Sequence, residues 1–290
     1  MRLCLTFARL SSTTVELSHV RSLLFAPGSD EHKLRGALES GADAVVADLE
    51  DAVAPAGKGA ARELARDTLG TTVEGPGPVT VVRVNAADTP YFADDLAMVD
   101  ELAPQAIVLP KATPEAVSAL GGQGPPVIAI VETAQGLRLA YETACAPRVA
   151  ALILGAVDLG AEVGLEPRPD GLEILYARSK VVIDSVAAGI RAPFDIVHLD
   201  LDDDEGLEAD CRLGRSLGFR GKACIHPAQV PIVNRIFAPS EAEVAWAHRV
   251  VDAYEQGLGE GRGVLALDGA MVDRPVVARA RRILAEAERR

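Results

Sequence analysis

Eight short apolar runs recur along the chain, each followed by a polar or amphipathic segment: "SLLFAPG", "ADAVVADLE", "VTVVRVN", "AIVLPK", "VIAIVET", "AALILGAVD", "FDIVHLD" and "GKACIHP". Runs that are apolar throughout belong to strands covered on both faces, and strands separated by helices pair in parallel. Segments such as "DEHKLRGALESG", "KGAARELARDTLG", "AQGLRLAYETACA" and "GLEILYARSKVVIDSVAAG" read as the intervening helices. Several stop at a glycine (Gly41, Gly70, Gly189, Gly218), as helix C-termini do. The strand ends fall near residues 28, 50, 85, 111, 132, 158, 200 and 226, one unit about every 28 residues. Eight such units predict an α/β fold, a (β/α)8 barrel of the TIM type. A doubly wound open sheet is the rival. However, no glycine-rich phosphate turn follows the first strand, and "GLGEGRG" at 257–263 comes too late and without its strand and helix.

The barrel is expected over residues 20–238. Residues 1–19 read as a loose tail, with no apolar run long enough for a signal segment. Residues 239–290 exceed what barrel closure needs and are expected to form a C-terminal helical extension that either plugs a barrel end or reaches a neighbouring subunit.

With 49% hydrophobic residues, the 290-residue chain can bury a sizeable core. Its net charge of −13 speaks against nucleic acid as a partner, because no basic patch is present to displace phosphate counterions. Nothing approaches the ~20 apolar residues of a membrane helix. Cys4, Cys145, Cys211 and Cys224 show neither CxxC spacing nor a disulfide framework, so a reducing cytoplasm is the expected compartment. An anionic substrate would need a local cation or a metal.

The polar residues at the ends of the apolar runs are Glu50 and Asp51, Arg83 and Asn85, Lys111, Glu132, Asp158, His198 and Asp200, and Lys222 and His226. In a barrel all carboxyl ends of the strands converge on one mouth, where barrel enzymes carry their chemistry. Four carboxylates there (Glu50, Asp51, Glu132, Asp158) would repel one another unless a cation joined them. Hard oxygen ligands with open positions suit Mg2+ or Mn2+. The alternative is a set of ion pairs with Arg83 and Lys111 and no metal. Zinc fits poorly, because the five histidines are scattered. Arg83 reads either as a fork for a carboxylate or enolate-like oxygen or as a structural partner of Glu50. His226 is equally a structural or a catalytic histidine, while His32 and His248 read as surface residues. Lys111 as a Schiff-base lysine is a further alternative, disfavoured by the crowded acids. "DLDDDEG" at 200–206 lacks calcium-loop spacing and reads as an acidic helix start. No GxSxG occurs.

The blocks "RSLLFAPG", "GADAVVADLEDAVAP", "VVRVN", "IVLPK", "IAIVETAQG", "LGAVDLGAEVG", "YARSKVV", "GFRGKACIHPAQV" and "LDGAMVD" resemble, in order, the citrate-lyase β-subunit-like family of the HpcH/HpaI aldolase superfamily. The resemblance spans residues 20–285 and is strongest to stand-alone members, which include citramalyl-CoA and malyl-CoA lyases. It implies an Mg2+-dependent carbon–carbon lyase, commonly trimeric, that converts a citramalyl-, malyl- or citryl-CoA type thioester into acetyl-CoA and a small 2-oxoacid. By position, Glu132 and Asp158 would be the metal ligands, Arg83 would bind the small acid, and Glu50 and Asp51 would hold metal-bound waters. Asp273 of "DGAMVD", with Asp268 as fallback, would act in the neighbouring subunit's site. Arg21 and Lys58 are the candidates for gripping the anionic coenzyme A. The chain departs from many relatives in reading "GAVDL" for "GAEDL", so Val157 replaces a glutamate. The alternatives are a free-acid class II aldolase, a thioesterase-like hydrolase, or a partner-dependent acyl-CoA-binding subunit of a citrate-lyase-like complex.

Overall fold

A computed structural model describes residues 17–70 and 77–288. Strands β1 (Ser22–Pro27), β2 (Ala44–Asp48), β3 (Val79–Arg83), β4 (Ala106–Leu109), β5 (Val127–Val131), β6 (Val149–Leu154) and β7 (Lys222–Cys224) form one parallel sheet in the order β6-β5-β4-β3-β2-β1-β7. The ring closes through the seventh apolar run, "FDIVHLD". Phe194 bridges in parallel to Ile153 of β6, and Asp195 to Lys222 of β7. Phe194 N donates to Leu152 O (2.9 Å), and Asp195 O accepts from Ala223 N (3.1 Å). The chain is therefore a (β/α)8 barrel in which this stave is two residues long rather than a full strand. Pro193 can donate nothing to a ladder ahead of it, and beyond it the run turns polar.

Behind this thin stave the wall is held by charge. Arg178 Nε and Nη2 donate to the two carboxylate oxygens of Asp195 (3.0 and 2.8 Å), and both Arg178 and Lys222 bond Asp210. Arg178, Lys222 and Asp195 are fully buried, and paired charges are the form in which such groups survive burial.

Between strands run α1 (Glu31–Leu38), α2 (Lys58–Leu69), α3 (Phe92–Leu102), α4 (Pro114–Ala119), α5 (Ala134–Arg138), α6 (Ala140–Ala144), α7 (Ala156–Val163), α8 (Leu175–Ala187), α9 (Asp204–Leu217) and α10 (Gln229–Phe237). Local chemistry sets their starts. Asp30, Thr113, Thr133 and Asp203 each accept a first-turn N–H, and Pro114 stands in the first turn of α4, where no donor is needed. The acids of "DLDDDEG" accordingly sit at the start of α9. The helix α7 is a difference from the sequence reading. The run "AALILGAVD" leaves the strand at Leu154, turns at Gly155 and is helical from Ala156, so Asp158 lies in the first turn of a helix rather than at a strand end. An acid there is favoured by the helix dipole.

Strands β2, β4 and β5 are buried along their whole length, as parallel strands covered on both faces must be. Alternate residues (Ala44 and Val46, Val79 and Val81, Ala106 and Val108, Ile128 and Ile130) join Phe194, Leu17 and Val20 in one apolar core. The loose tail expected over 1–19, with Cys4, lies outside the described residues up to residue 16. Leu17–His19 form a 3-10 turn with Leu17 buried, and Leu17 O accepts from Arg191 Nε (2.7 Å). Among the described residues Cys211 and Cys224 are free thiols, and no helix is long and apolar enough to cross a membrane.

The described chain divides into two compact units, the first ending at Arg235 and the second beginning at Ile236. The second holds α11 (Glu241–Gly259), the hairpin β8 (Leu265–Leu267) and β9 (Ala270–Val272), and α12 (Arg274–Ala287). Asp268 and Gly269 both take positive φ (51° and 79°), the backbone of a two-residue type I′ turn. Val250, Tyr254, Val272, Val277 and Ile283 form the unit's own apolar cluster. Helix α11 starts with a capping box of Ser240 and Glu243.

Candidate active site

At the carboxyl ends of the barrel strands lies a cavity of about 400 Å³. It is lined by Phe25, Asp48, Asp51, Arg83, Glu132, Ile153, Val157, Asp158, Val197 and Ile225, among others. The site begins with the end of β2. Parallel register sets Asp48 opposite Arg83 of β3. Arg83 Nε and Nη2 donate to Asp48 Oδ1 and Oδ2 at 2.7 and 2.6 Å, a bidentate fork that also meets the ring of Phe25 at 5.4 Å. Asp48 additionally accepts the N–H of Glu50 (2.8 Å). The strand can end in acid because its first carboxylate is fully paired.

Glu50 is held between two cations, with Oε2 2.9 Å from Arg83 Nη1 and Oε1 3.6 Å from Lys111 Nζ. The Arg83 contact lies off the N–H direction, and Oε2 accepts no hydrogen bond among the described residues. Burial outweighs the two cations and pushes the Glu50 carboxyl up to about 7. Burial works against the charge of Arg83 too, but hydrogen bonds and charge from Asp48 hold its guanidinium above the ordinary value. Asp51 is exposed, 3.9 Å from Arg83 Nη1.

Glu132 follows β5 directly and is buried. Its Oε1 accepts the backbone N–H of Lys111 at 2.7 Å. Its other side lies against Gly155, where a Cβ would come within 2.5 Å of Glu132 Cβ and 2.8 Å of Oε2, so only glycine leaves this carboxylate its place. Burial, opposed by the Lys111 N–H and reinforced by the charges of Glu50 and Asp158, pushes Glu132 up to about 8. Asp158 lines the same cavity from α7 and is exposed.

The structure thus brings Arg83, Glu50, Asp51, Glu132 and Asp158 to one mouth, and corrects two other expectations. Lys58 is no coenzyme grip. It is buried, and Nζ spends its three donors on Leu49 O, Glu50 O and Asn85 Oδ1 (2.6, 2.7 and 2.7 Å), with burial lowering its pKa. It is a strut that fixes the acidic loop after β2. Arg21 precedes β1, at the end of the barrel opposite the mouth. It is forked onto Asp43 (3.0 and 3.1 Å). Asp273, in the second unit, N-caps α12 by accepting the N–H of Val276 (3.2 Å). His226 Nδ1 accepts the N–H of Ala228 (3.2 Å), a local turn contact. The sequence reading missed Asp48 as the principal partner of Arg83. The available signal was its place as last residue of a strand whose neighbour ends in arginine.

In chemical terms the mouth holds a guanidinium forked onto buried Asp48, two further buried carboxyls that burial raises toward neutrality, Glu50 and Glu132, and the exposed acids Asp51 and Asp158. Glu132 and Asp158 both line the cavity. Among the described residues no group of three or more His, Cys, Asp or Glu side chains is placed to hold a metal ion. A cation there would keep positions for water and substrate, as Mg2+ does.

The model of the HpcH/HpaI aldolase/citrate lyase family matches residues 21–227. Among characterised relatives, a (3S)-malyl-CoA thioesterase of Cereibacter sphaeroides is 41% identical over 272 residues, covering 92% of this chain and 94% of that protein. A citrate lyase subunit beta of Leuconostoc mesenteroides is 37% identical, covering 91% and 92%. Among solved structures, the CitE protein of Mycobacterium tuberculosis in complex with magnesium, acetoacetate and coenzyme A superposes with a TM-score of 0.80 at 37% identity, over 93% of this chain and 98% of that one. With the barrel, its mouth and these similarities together, the chain belongs to the HpcH/HpaI aldolase/citrate lyase family, in its citrate-lyase β-subunit-like branch.

Proposed function

We propose that this protein is an Mg2+-dependent carbon–carbon lyase, working reversibly on 3-hydroxy-3-carboxyacyl-CoA thioesters to give acetyl-CoA and a 2-oxoacid. The observation that carries the reading is Glu132: a buried carboxyl, fixed on one oxygen by the Lys111 N–H, sharing a cavity with Asp158 and Arg83. Glu132 and Asp158 would hold the cation, and Glu50 and Asp51 its waters. Bound there, Mg2+, or Mn2+ in its place, supplies a Lewis acid for charge developing on substrate oxygens. In the condensation direction Asp273 of a neighbouring subunit removes a proton from the thioester α-carbon. The resulting enolate attacks the oxo carbon, and Arg83 stabilises the oxygen that becomes the new hydroxyl. On this reading residues 239–290 serve a homo-oligomer, a trimer by family resemblance. The partners are an acyl-CoA thioester and a small 2-oxoacid.

The charged side chains lining the cavity are four acids and one arginine. That balance favours a substrate with one free carboxylate, so malyl-CoA or citramalyl-CoA is expected to be cleaved faster than citryl-CoA. The similarity to a (3S)-malyl-CoA thioesterase favours a second reading, hydrolysis of the thioester. Incubation with the three thioesters separates them. A lyase releases glyoxylate, pyruvate or oxaloacetate and leaves the thioester bond intact as acetyl-CoA, whereas a thioesterase releases free CoA thiol and no oxoacid. Failure to cleave any of the three unless partner subunits are added would instead favour a partner-dependent subunit.

The metal reading makes a pH prediction. Metal ligation requires ionised Glu132, whose carboxyl is pushed up to about 8. Below that pH, binding must expel a proton, so apparent affinity is expected to rise up to tenfold per pH unit and level off above about 8. Stability carries the same sign. A folded pKa above the unfolded value makes the metal-free protein lose stability as pH rises from 4.5 through about 8. Mg2+ should therefore raise the melting temperature more at pH 8.5 than at pH 6. Equal shifts at both would contradict Glu132 as a ligand.

A further inference from the structure

Among the described residues four non-glycine residues take positive φ: Ala103, Lys111, Arg148 and Asp268. Ala103 ends α3 as its left-handed C-cap, and Asp268 turns the hairpin between β8 and β9. Lys111 does neither. It stands just past β4 at the mouth, with φ +47°, in a region where an L-residue crowds its own backbone. Strain of this kind persists where the surroundings enforce it, and it gathers at functional sites. Here it turns the Lys111 N–H onto Glu132 Oε1 at 2.7 Å, while the next residue is pinned by Ala112 N donating to Ile130 O at 3.0 Å.

We propose that Lys111 is a positioning residue whose left-handed backbone presets Glu132 for a divalent cation. The inference rests on the reading of Glu132 as a metal ligand. The carboxylate is fixed between two backbone features: the Lys111 N–H takes Oε1, and bare Gly155 leaves Oε2 its place against the backbone. Glycine would adopt the same turn at less cost. Lysine adds an ammonium 3.6 Å from Glu50 Oε1, so one residue contacts both Glu132 and Glu50.

Substitution separates the backbone from the ammonium. Lys111→Gly and Lys111→Val both delete the charge, but glycine accepts positive φ and β-branched valine resists it. The readout is Mn2+ affinity of the purified full-length protein, measured by titration of the free-ion electron paramagnetic resonance signal. Lys111→Gly and Lys111→Asn are expected within about threefold of wild type, since both residues tolerate the left-handed region. Lys111→Val is expected to bind about 10–100-fold more weakly, the usual cost of losing a group that orients a ligand. Equal affinity in the Gly and Val proteins overturns the proposal. Should the Val protein not fold, Lys111→Ala carries the comparison: weaker binding than Gly supports the proposal, and equal binding overturns it. If wild type binds no Mn2+, the metal reading falls and the proposal with it. That outcome differs from a wild type that binds and a Val protein that binds equally well.

Discussion

Arg83→Met is expected to destabilise the protein by about 3–5 kcal/mol, the cost of removing one partner from a buried ion pair. Arg83 is the sole side-chain hydrogen-bond donor to Asp48 among the described residues and lies against Glu50; both acids are buried. Methionine fills much of the arginine's volume, so the loss reports charge and hydrogen bonding rather than a cavity. Asp48 keeps the N–H groups of Glu50 and Ala52 (2.8 and 3.3 Å), which holds the loss near the lower end of that range. Two controls test the attribution. Adding Asp48→Asn to Arg83→Met removes the orphaned charge and should recover part of the stability, a coupling that a double-mutant cycle measures. Arg83→Lys should fall between, since one ammonium cannot reproduce a two-point fork. The measurement is urea unfolding of the wild type, Arg83→Met, Arg83→Lys, Asp48→Asn and the double variant. A loss below about 1 kcal/mol in Arg83→Met, typical of an exposed pair, would mean that the end of β2 does not depend on this contact. Turnover should also fall, by about 10²–10³-fold if Arg83 faces a developing oxyanion. The Lys variant keeps the charge while losing the fork, so it shows whether charge alone suffices.

Much of this architecture was legible in the sequence because its strands are apolar throughout and its helices begin with caps and several end near glycines. The barrel and the acids at its mouth both follow from where the apolar runs stop. What was not legible depended on register and side-chain reach. Asp48 and Glu50 stand two residues apart in one acidic run, and only the pairing of β2 with β3 decides that Asp48 takes the fork of Arg83. Lys58 reads as a candidate coenzyme grip until the loop after β2 takes two of its donors and Asn85, beyond β3, takes the third. Arg21 opens a strand, and a position at the amino end points away from a mouth built at the carboxyl ends; strand direction alone could have excluded it. The helix carrying Asp158 was hidden because "GAVD" continues an apolar run without a break that composition can see, and Gly155 acts through the space it leaves rather than through a turn signal. The seventh stave shows the opposite error. Its run looks like a strand, but pairing stops after two residues, and buried ion pairs hold the wall instead.

Asp273→Asn is expected to lower turnover by about 10³-fold or more, within the range for a lost general base. Metal affinity should be unchanged. Asparagine is the informative replacement because Asp273 has a structural duty, accepting the Val276 N–H at the start of α12. Asn caps a helix as well as Asp does, whereas Ala would cost about 1 kcal/mol and mix folding with chemistry. The proposed role across a subunit boundary then gives a result that no single-chain role reproduces. Asp273→Asn protein and Glu132→Gln protein should each be inactive. Unfolded together and reassembled in equal amounts, they form sites that combine an intact Glu132 from one chain with an intact Asp273 from the next. Random assembly places about a quarter of the sites in that class, so about a quarter of wild-type activity should return. If Asp273 served its own chain's mouth, every site would carry one defect and mixing would restore nothing. Full activity in the Asn protein alone would remove Asp273 from the chemistry, and Asp268, exposed in the adjoining turn and 3.2 Å from Arg249, would be the next aspartate to test.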